Sequence, residues 1–185
     1  MARSLVLALA VAATLLAAPR TGAQSPSPFS IEASVGRGVG WTGAEYAGSQ
    51  SGIAADVLLA MRLRPAGSGA LIVGLSGSAQ GTGASTSDCR PASTGGCVPR
   101  FPEFYSVAPL AGWESGRGTL RALLGPTLMQ ASREGRALGV QGRLDLAIPL
   151  AGRIAPVVSI RPAFIPDYRG DAIGLMAFGL GLRFR

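Results

Sequence analysis

From Phe29 to the C-terminus the chain alternates apolar residues with polar or small ones, the period of a β-strand with one greasy face and one different face. Eight such segments can be read. In the first, Phe29, Ile31, Ala33, Val35, Val39 and Trp41 share a face and Ser30, Glu32, Ser34, Gly36, Gly38 and Gly40 the other, with Arg37 standing on the greasy side. The second sets Ile53, Ala55, Val57, Leu59, Met61 and Leu63 against Ala54, Asp56, Leu58, Ala60, Arg62 and Arg64. The third opposes Leu71, Val73 and Leu75 to Gly74, Ser76, Ser78 and Gln80, and the fourth opposes Tyr105, Val107, Pro109, Ala111 and Trp113 to Ser106, Gly112 and Glu114. Ile72 and Leu110 interrupt these two.

In the fifth segment Leu120, Ala122, Leu124, Pro126 and Leu128 lie against Thr119, Arg121, Gly125 and Thr127. The sixth alternates most cleanly, with Leu138, Val140, Leu144, Leu146, Ile148 and Leu150 against Gly139, Gln141, Arg143, Asp145 and Ala147. The seventh turns Ile154, Val158, Ile160 and Phe164 away from Ser159 and Arg161. The eighth turns Met176, Phe178, Leu180, Leu182 and Phe184 away from Gly179, Gly181 and Arg183. Connections alternate as well: Pro65–Gly69, Glu114–Gly118 and Ala151–Arg153 are short, whereas Thr42–Gly52 and Thr82–Pro102 are long and polar. Strands of about eleven residues, tied by short turns at one end and longer loops at the other, predict an all-β, eight-stranded antiparallel up-and-down transmembrane β-barrel.

Size sorting decides which face meets lipid. The face without large apolar groups carries Gly, Ser, Gln and charges, which suits the narrow interior of eight strands, and the Leu and Val face suits acyl chains. Aromatic residues fall at the ends of greasy faces in two girdles, Trp41, Tyr105 and Phe164 toward the long loops and Phe29, Trp113 and Phe184 toward the short turns. Two features strain the pattern. Pro109, Pro126, Pro149, Pro156 and Pro162 each remove a ladder donor, so some strands are expected to be shorter or bulged. Arg37 faces lipid unless a bulge among Gly36, Gly38 and Gly40 turns it inward, and a bulge is the expectation.

The residues before this pattern read as an export signal: Arg3 is a positive start, Leu5 to Ala18 an apolar run, and Thr21-Gly22-Ala23 a small-residue cleavage site. Residues 1–23 are thus expected to be a signal peptide and 24–185 the barrel domain, placed in the outer membrane. The formal charge of +7 is carried without any Lys, and removing Arg3 and Arg20 leaves an excess of about five.

The signal peptide, the eight alternating segments and the last strand ending on Phe184 resemble the small outer-membrane β-barrel family that contains OmpA-like and OmpX-like barrels. The family usually ends on an aromatic residue, whereas Arg185 follows Phe184 here. Barrel enzymes of similar architecture (acyltransferases, lipid A deacylases, aspartyl-type proteases) rely on a His, and this chain has none. A nucleophilic Ser lacks its base and, without Lys, its alternative base, so no enzyme, catalytic site or cofactor is read. Gly36-x-Gly38-x-Gly40 opens no helix and is a strand feature rather than a phosphate loop.

Chemistry is instead expected in charge pairing. Glu32, Asp56, Glu114 and Asp145 face the same side as Arg62, Arg64, Arg121, Arg143, Arg161 and Arg183, which predicts an ionic lumen network, since buried charge is tolerable only when paired. Cys89 and Cys97 sit in one polar stretch, where an exported protein forms a local disulfide. Two thiols without His leave a four-ligand metal set incomplete, so no metal is expected. The outer loops nearly cancel in charge, with no basic patch interleaved with aromatics, which argues against nucleic acid. Partners are then outer-membrane lipid and an extracellular partner met through the loops. A soluble lipocalin-like periplasmic barrel binding a small apolar ligand, and a narrow ion channel, are the competing readings.

Overall fold

A computed structural model describes residues 28–42, 50–81, 89–91, 97–99, 103–131, 135–148, 153–168 and 170–185. The signal-peptide reading of 1–23 falls outside them. The strands are β1 (Phe29–Thr42), β2 (Gln50–Ala66), β3 (Gly69–Gln80), β4 (Cys89–Pro91), β5 (Cys97–Pro99), β6 (Phe104–Ser115), β7 (Leu120–Ala131), β8 (Gly135–Ala147), β9 (Ile154–Tyr168) and β10 (Asp171–Phe184). Eight of them close an antiparallel barrel in the order β1-β10-β9-β8-β7-β6-β3-β2, each strand beside its chain neighbour and β1 beside β10 at the seam. β4 and β5 form a separate hairpin within the connection between β3 and β6, pairing Cys89 with Pro99 and Pro91 with Cys97. The side chains of this hairpin lie outside the described residues, and so does the expected pairing of Cys89 with Cys97.

Alternation becomes sidedness because successive strand residues point to opposite faces. In β7 the burial alternates almost residue by residue, with Leu120, Ala122, Leu124 and Leu128 outward and Arg121, Leu123, Thr127 and Met129 inward. Outward leucines are strongly exposed, 71% for Leu138, 68% for Leu180 and 62% for Leu124, while Glu32, Asp145 and Arg183 inside are at 0%. The barrel is therefore inside-out relative to a soluble protein, whose charged groups are almost never fully buried.

The lumen is layered along its axis. Toward the long-loop end it is apolar, with Phe104, Met129, Ile165, Tyr168, Ile173 and Leu175 in contact and the Phe104 and Tyr168 rings edge to face at 5.9 Å. Below lies a polar layer in which Gln141 Oε1 accepts from Ser106 Oγ at 3.2 Å and Gln141 Nε2 donates to Ser76 Oγ at 3.4 Å. Leu58, Ile72, Ala108, Leu110 and Leu123 form a second apolar cluster on one wall. Ile72 and Leu110, the two interruptions of the sequence pattern, are lumen-filling groups of that cluster.

Pro109 lies inside β6, Pro126 inside β7 and Pro156 and Pro162 inside β9, whereas β8 ends at Ala147, ahead of Pro149. The β6–β7 ladder stops at Val107↔Leu128 and resumes at Ala111↔Leu124, and continuing that register sets Pro109 opposite Pro126, where neither residue has a donor. The β8–β9 ladder breaks similarly at Pro162, between Gln141↔Ala163 and Leu144↔Ile160. Arg37 does not sit on a bulge: it pairs in unbroken register with Phe178 on one side and Ile53 on the other, and its side chain is exposed on the outer face. Arg64 is not in the lumen. The register between β2 and β3 slips from Arg62↔Ile72 to Arg64↔Leu71, so Arg64 joins the outer face and is exposed.

Candidate functional site

The inward charges converge on a single network in the half of the lumen nearer the short turns. Arg143 is its hub. From β8 it reaches Asp145 two residues along the same strand, with Nε 2.8 Å from Oδ1 and 2.9 Å from Oδ2, and crosses the barrel to Glu32 on β1 and Asp56 on β2. Its side chain and those of its three carboxylate partners are fully buried. The planar guanidinium can serve several carboxylates because its five N–H groups form a fixed fork, which an ammonium group cannot imitate.

Arg183 on β10 is a second hub. Nε lies 2.8 Å from Glu32 Oε2, and the terminal nitrogens lie 3.4 Å from Glu114 Oε1 and 3.5 Å from Asp145 Oδ2. Arg121 Nη2 donates to Glu114 Oε1 and Ser30 Oγ, both at 3.0 Å, and Arg161 Nη1 lies 2.9 Å from Asp56 Oδ1. Ser34 Oγ donates to Asp56 as well. Arg62, one-third exposed, donates from Nε to Glu114 Oε2 at 2.6 Å. The structure thus brings Glu32, Asp56, Arg62, Glu114, Arg121, Arg143, Asp145 and Arg161 into one connected set.

Sequence reasoning missed two members. Gly118, at φ 64° in the turn between β6 and β7, presents its carbonyl to Arg183 Nη1 at 2.8 Å and to Arg185 Nη2. Ser115 holds that turn by accepting from the amides of Thr119 and Leu120, each at 3.0 Å. Arg185 also approaches Glu114 Oε1 at 3.7 Å. Its parity with Arg183 is the signal the sequence carries.

The aromatic residues lie on the outer face near its two ends, with Phe29, Trp41, Tyr105 and Phe164 exposed and Trp113 and Phe184 partly covered. Both indoles lie over glycines. A Cβ at Gly174 would run into Trp41, its cross-strand partner, and one at Gly69 would run into Trp113, whose Nε1 donates to the carbonyl of Ala66 at 3.3 Å. These glycines are needed for close approach, since any side chain would lift the ring off the sheet. Among the described residues no cluster of His, Cys, Asp and Glu could hold a metal ion.

No family model matches the chain, and no curated protein sequence does. Solved structures do. Neisserial surface protein A superposes with a TM-score of 0.60 at 12% identity over 87% of this chain and 99% of that one. Ail, the attachment invasion locus protein of Yersinia pestis, gives a TM-score of 0.47 at 12% identity over 86% of this chain and 100% of its own. The fold is that of the small eight-stranded outer-membrane β-barrels.

Proposed function

We propose that the chain is exported by a signal peptide at 1–23 and spans the outer membrane through 24–185, with a structural or surface-interaction role performed by its loops. One observation carries this reading: large apolar side chains cover the outside of a closed barrel whose interior holds the charges. A soluble protein rarely exposes a contiguous apolar belt of this kind, and lipid is the solvent in which it costs nothing. The two aromatic girdles would then sit at headgroup level, where a ring with a polar tip is favoured. Similarity of fold to a protein named as a surface protein is in keeping with this reading.

The interior supports a packed scaffold rather than a catalyst or a conduit. Arg143 and Arg183 bridge opposite walls, and an apolar-ligand barrel requires the reverse sorting of residues. Membrane fractionation and electrophoresis with and without heating test the proposal. Recovery in the outer membrane with a heat-dependent migration shift is expected, and recovery in the soluble periplasm would overturn it. In planar bilayers the purified barrel is expected to give no steady conductance steps.

Two variants probe the periphery. Arg37, exposed on the outer face four positions below Trp41, is a charge in the apolar belt, so Arg37→Leu is expected to stabilise the barrel by about 1–2 kcal/mol, read from the urea midpoint in lipid vesicles. The Cys89–Cys97 disulfide is proposed to close the loop that presents the main contact surface. Exchanging both cysteines for Ser is expected to leave insertion and the heat shift unchanged while making that loop easier to cut with protease. Failure of the barrel to assemble would contradict this placement.

A further inference from the structure

The short-turn mouth of the barrel holds more positive charge than its own carboxylates neutralise. Glu114 lies within 4 Å of four guanidinium groups: Arg62 at 2.6 Å, Arg121 at 3.0 Å, Arg183 at 3.4 Å and Arg185 at 3.7 Å. Arg121 and Arg183 also answer Glu32, at 3.8 and 2.8 Å, whereas Arg62 and Arg185 meet no second carboxylate among the described residues. Among the described residues Arg62, Arg121, Arg143, Arg161, Arg183 and Arg185 face only Glu32, Asp56, Glu114 and Asp145, a side-chain surplus of two positive charges.

A cavity of ≈ 50 Å³ lies at this mouth, lined by Ser30, Arg62, Glu114, Arg121 and Arg185. Arg121 is 2% exposed, yet its Nε and Nη1 have no hydrogen-bond partner. Buried N–H donors are nearly always paired, and an unpaired one on a charged group is the costliest kind. Water could fill the space and take the hydrogen bonds, but it would leave the charge surplus in place. An anion answers both, and guanidinium forks match the oxygens of a tetrahedral oxyanion.

We infer that this cavity binds one phosphate-type oxyanion, held by Arg62, Arg121 and Arg185. This goes beyond the membrane reading, because the site is made by the lumen's own charges. Free inorganic phosphate and the head of a phospholipid share the required chemistry, and both can approach a mouth where Arg62 and Arg185 are each one-third exposed.

The test is calorimetric titration of the mature barrel, purified in an uncharged maltoside detergent, with inorganic phosphate and separately with dioctanoylphosphatidylglycerol. Saturable one-to-one binding of phosphate is expected. The Arg62→Gln/Arg185→Gln double variant should weaken it by about tenfold or more, because the two least-neutralised forks are gone. Arg136→Gln, which removes an exposed charge at the far end of the barrel, should change it by less than about twofold. If the double variant does not assemble, Arg62→Gln alone is read in the same way. Saturation by the lipid only, with the same loss in the variant, assigns the bound phosphate to a headgroup. No saturable binding of either probe, or equal weakening by Arg136→Gln, overturns the inference.

Discussion

Replacing Arg143 with Met is expected to cost about 3–5 kcal/mol of folding stability, the range seen when one partner is removed from a buried ion cluster. The variant keeps the volume roughly constant, so the loss is electrostatic. Glu32, Asp56 and Asp145 each lose a fully buried partner at once and are left to share Arg183, Arg161 and the more distant Arg121. Urea titration of the barrel in phospholipid vesicles, followed by the fluorescence of Trp41 and Trp113, measures it. Arg143→Lys is expected to fall between wild type and Met, because it restores the charge without the fork that spans three carboxylates. A loss below about 1 kcal/mol for Met would mean that the network is not a mechanical unit of the barrel.

The second large effect distinguishes lipid from water as the outer solvent. Leu124 is 62% exposed near the middle of β7. In a soluble protein Leu124→Arg would change stability by no more than about 0.5 kcal/mol, as surface substitutions usually do. On a lipid-facing wall it should cost about 2–4 kcal/mol at mid-depth, and less toward either end of the strand. The same exchange at Leu120, at the short-turn end of that strand, is expected to cost about 0–1 kcal/mol. A flat profile between the two positions would remove the case for a bilayer around this barrel.

Period-two alternation is a strong local signal, and it carried the strands, their order and the identity of most inward charges. Its failures have particular physical causes. A strand pattern cannot say whether one residue has been looped out, so the slip that turns Arg64 outward after Arg62 leaves no mark in it. At Arg37 the flanking glycines permit a bulge without requiring one, and the strand keeps its register there. Pro109 and Pro126 were expected to shorten strands, but their effect depends on what lies opposite. Facing each other, they leave a gap in one ladder while neighbouring pairs hold the strands together. Which arginine meets which carboxylate was not legible at all, because that follows from register around a closed circle. The role of Arg185 needed the Gly118 carbonyl, which only the turn geometry supplies.

The pairing of Glu32 with Arg183 joins positions 151 residues apart, on the two strands that close the barrel. Contacts of such long range cannot reward the chain until nearly all of it is present, so the seam closes late, after the ladders between chain neighbours that cost less loop entropy. Until β10 arrives, Glu32 has no Arg183 and Gly118 has no guanidinium to accept. The last strand of the barrel is therefore the one that closes onto the first. Without it the four carboxylates would keep Arg62, Arg121, Arg143 and Arg161, but β1 and β9 would carry open edges of unpaired backbone groups into an apolar phase, and this penalty makes the finished circle the only species with reason to remain there.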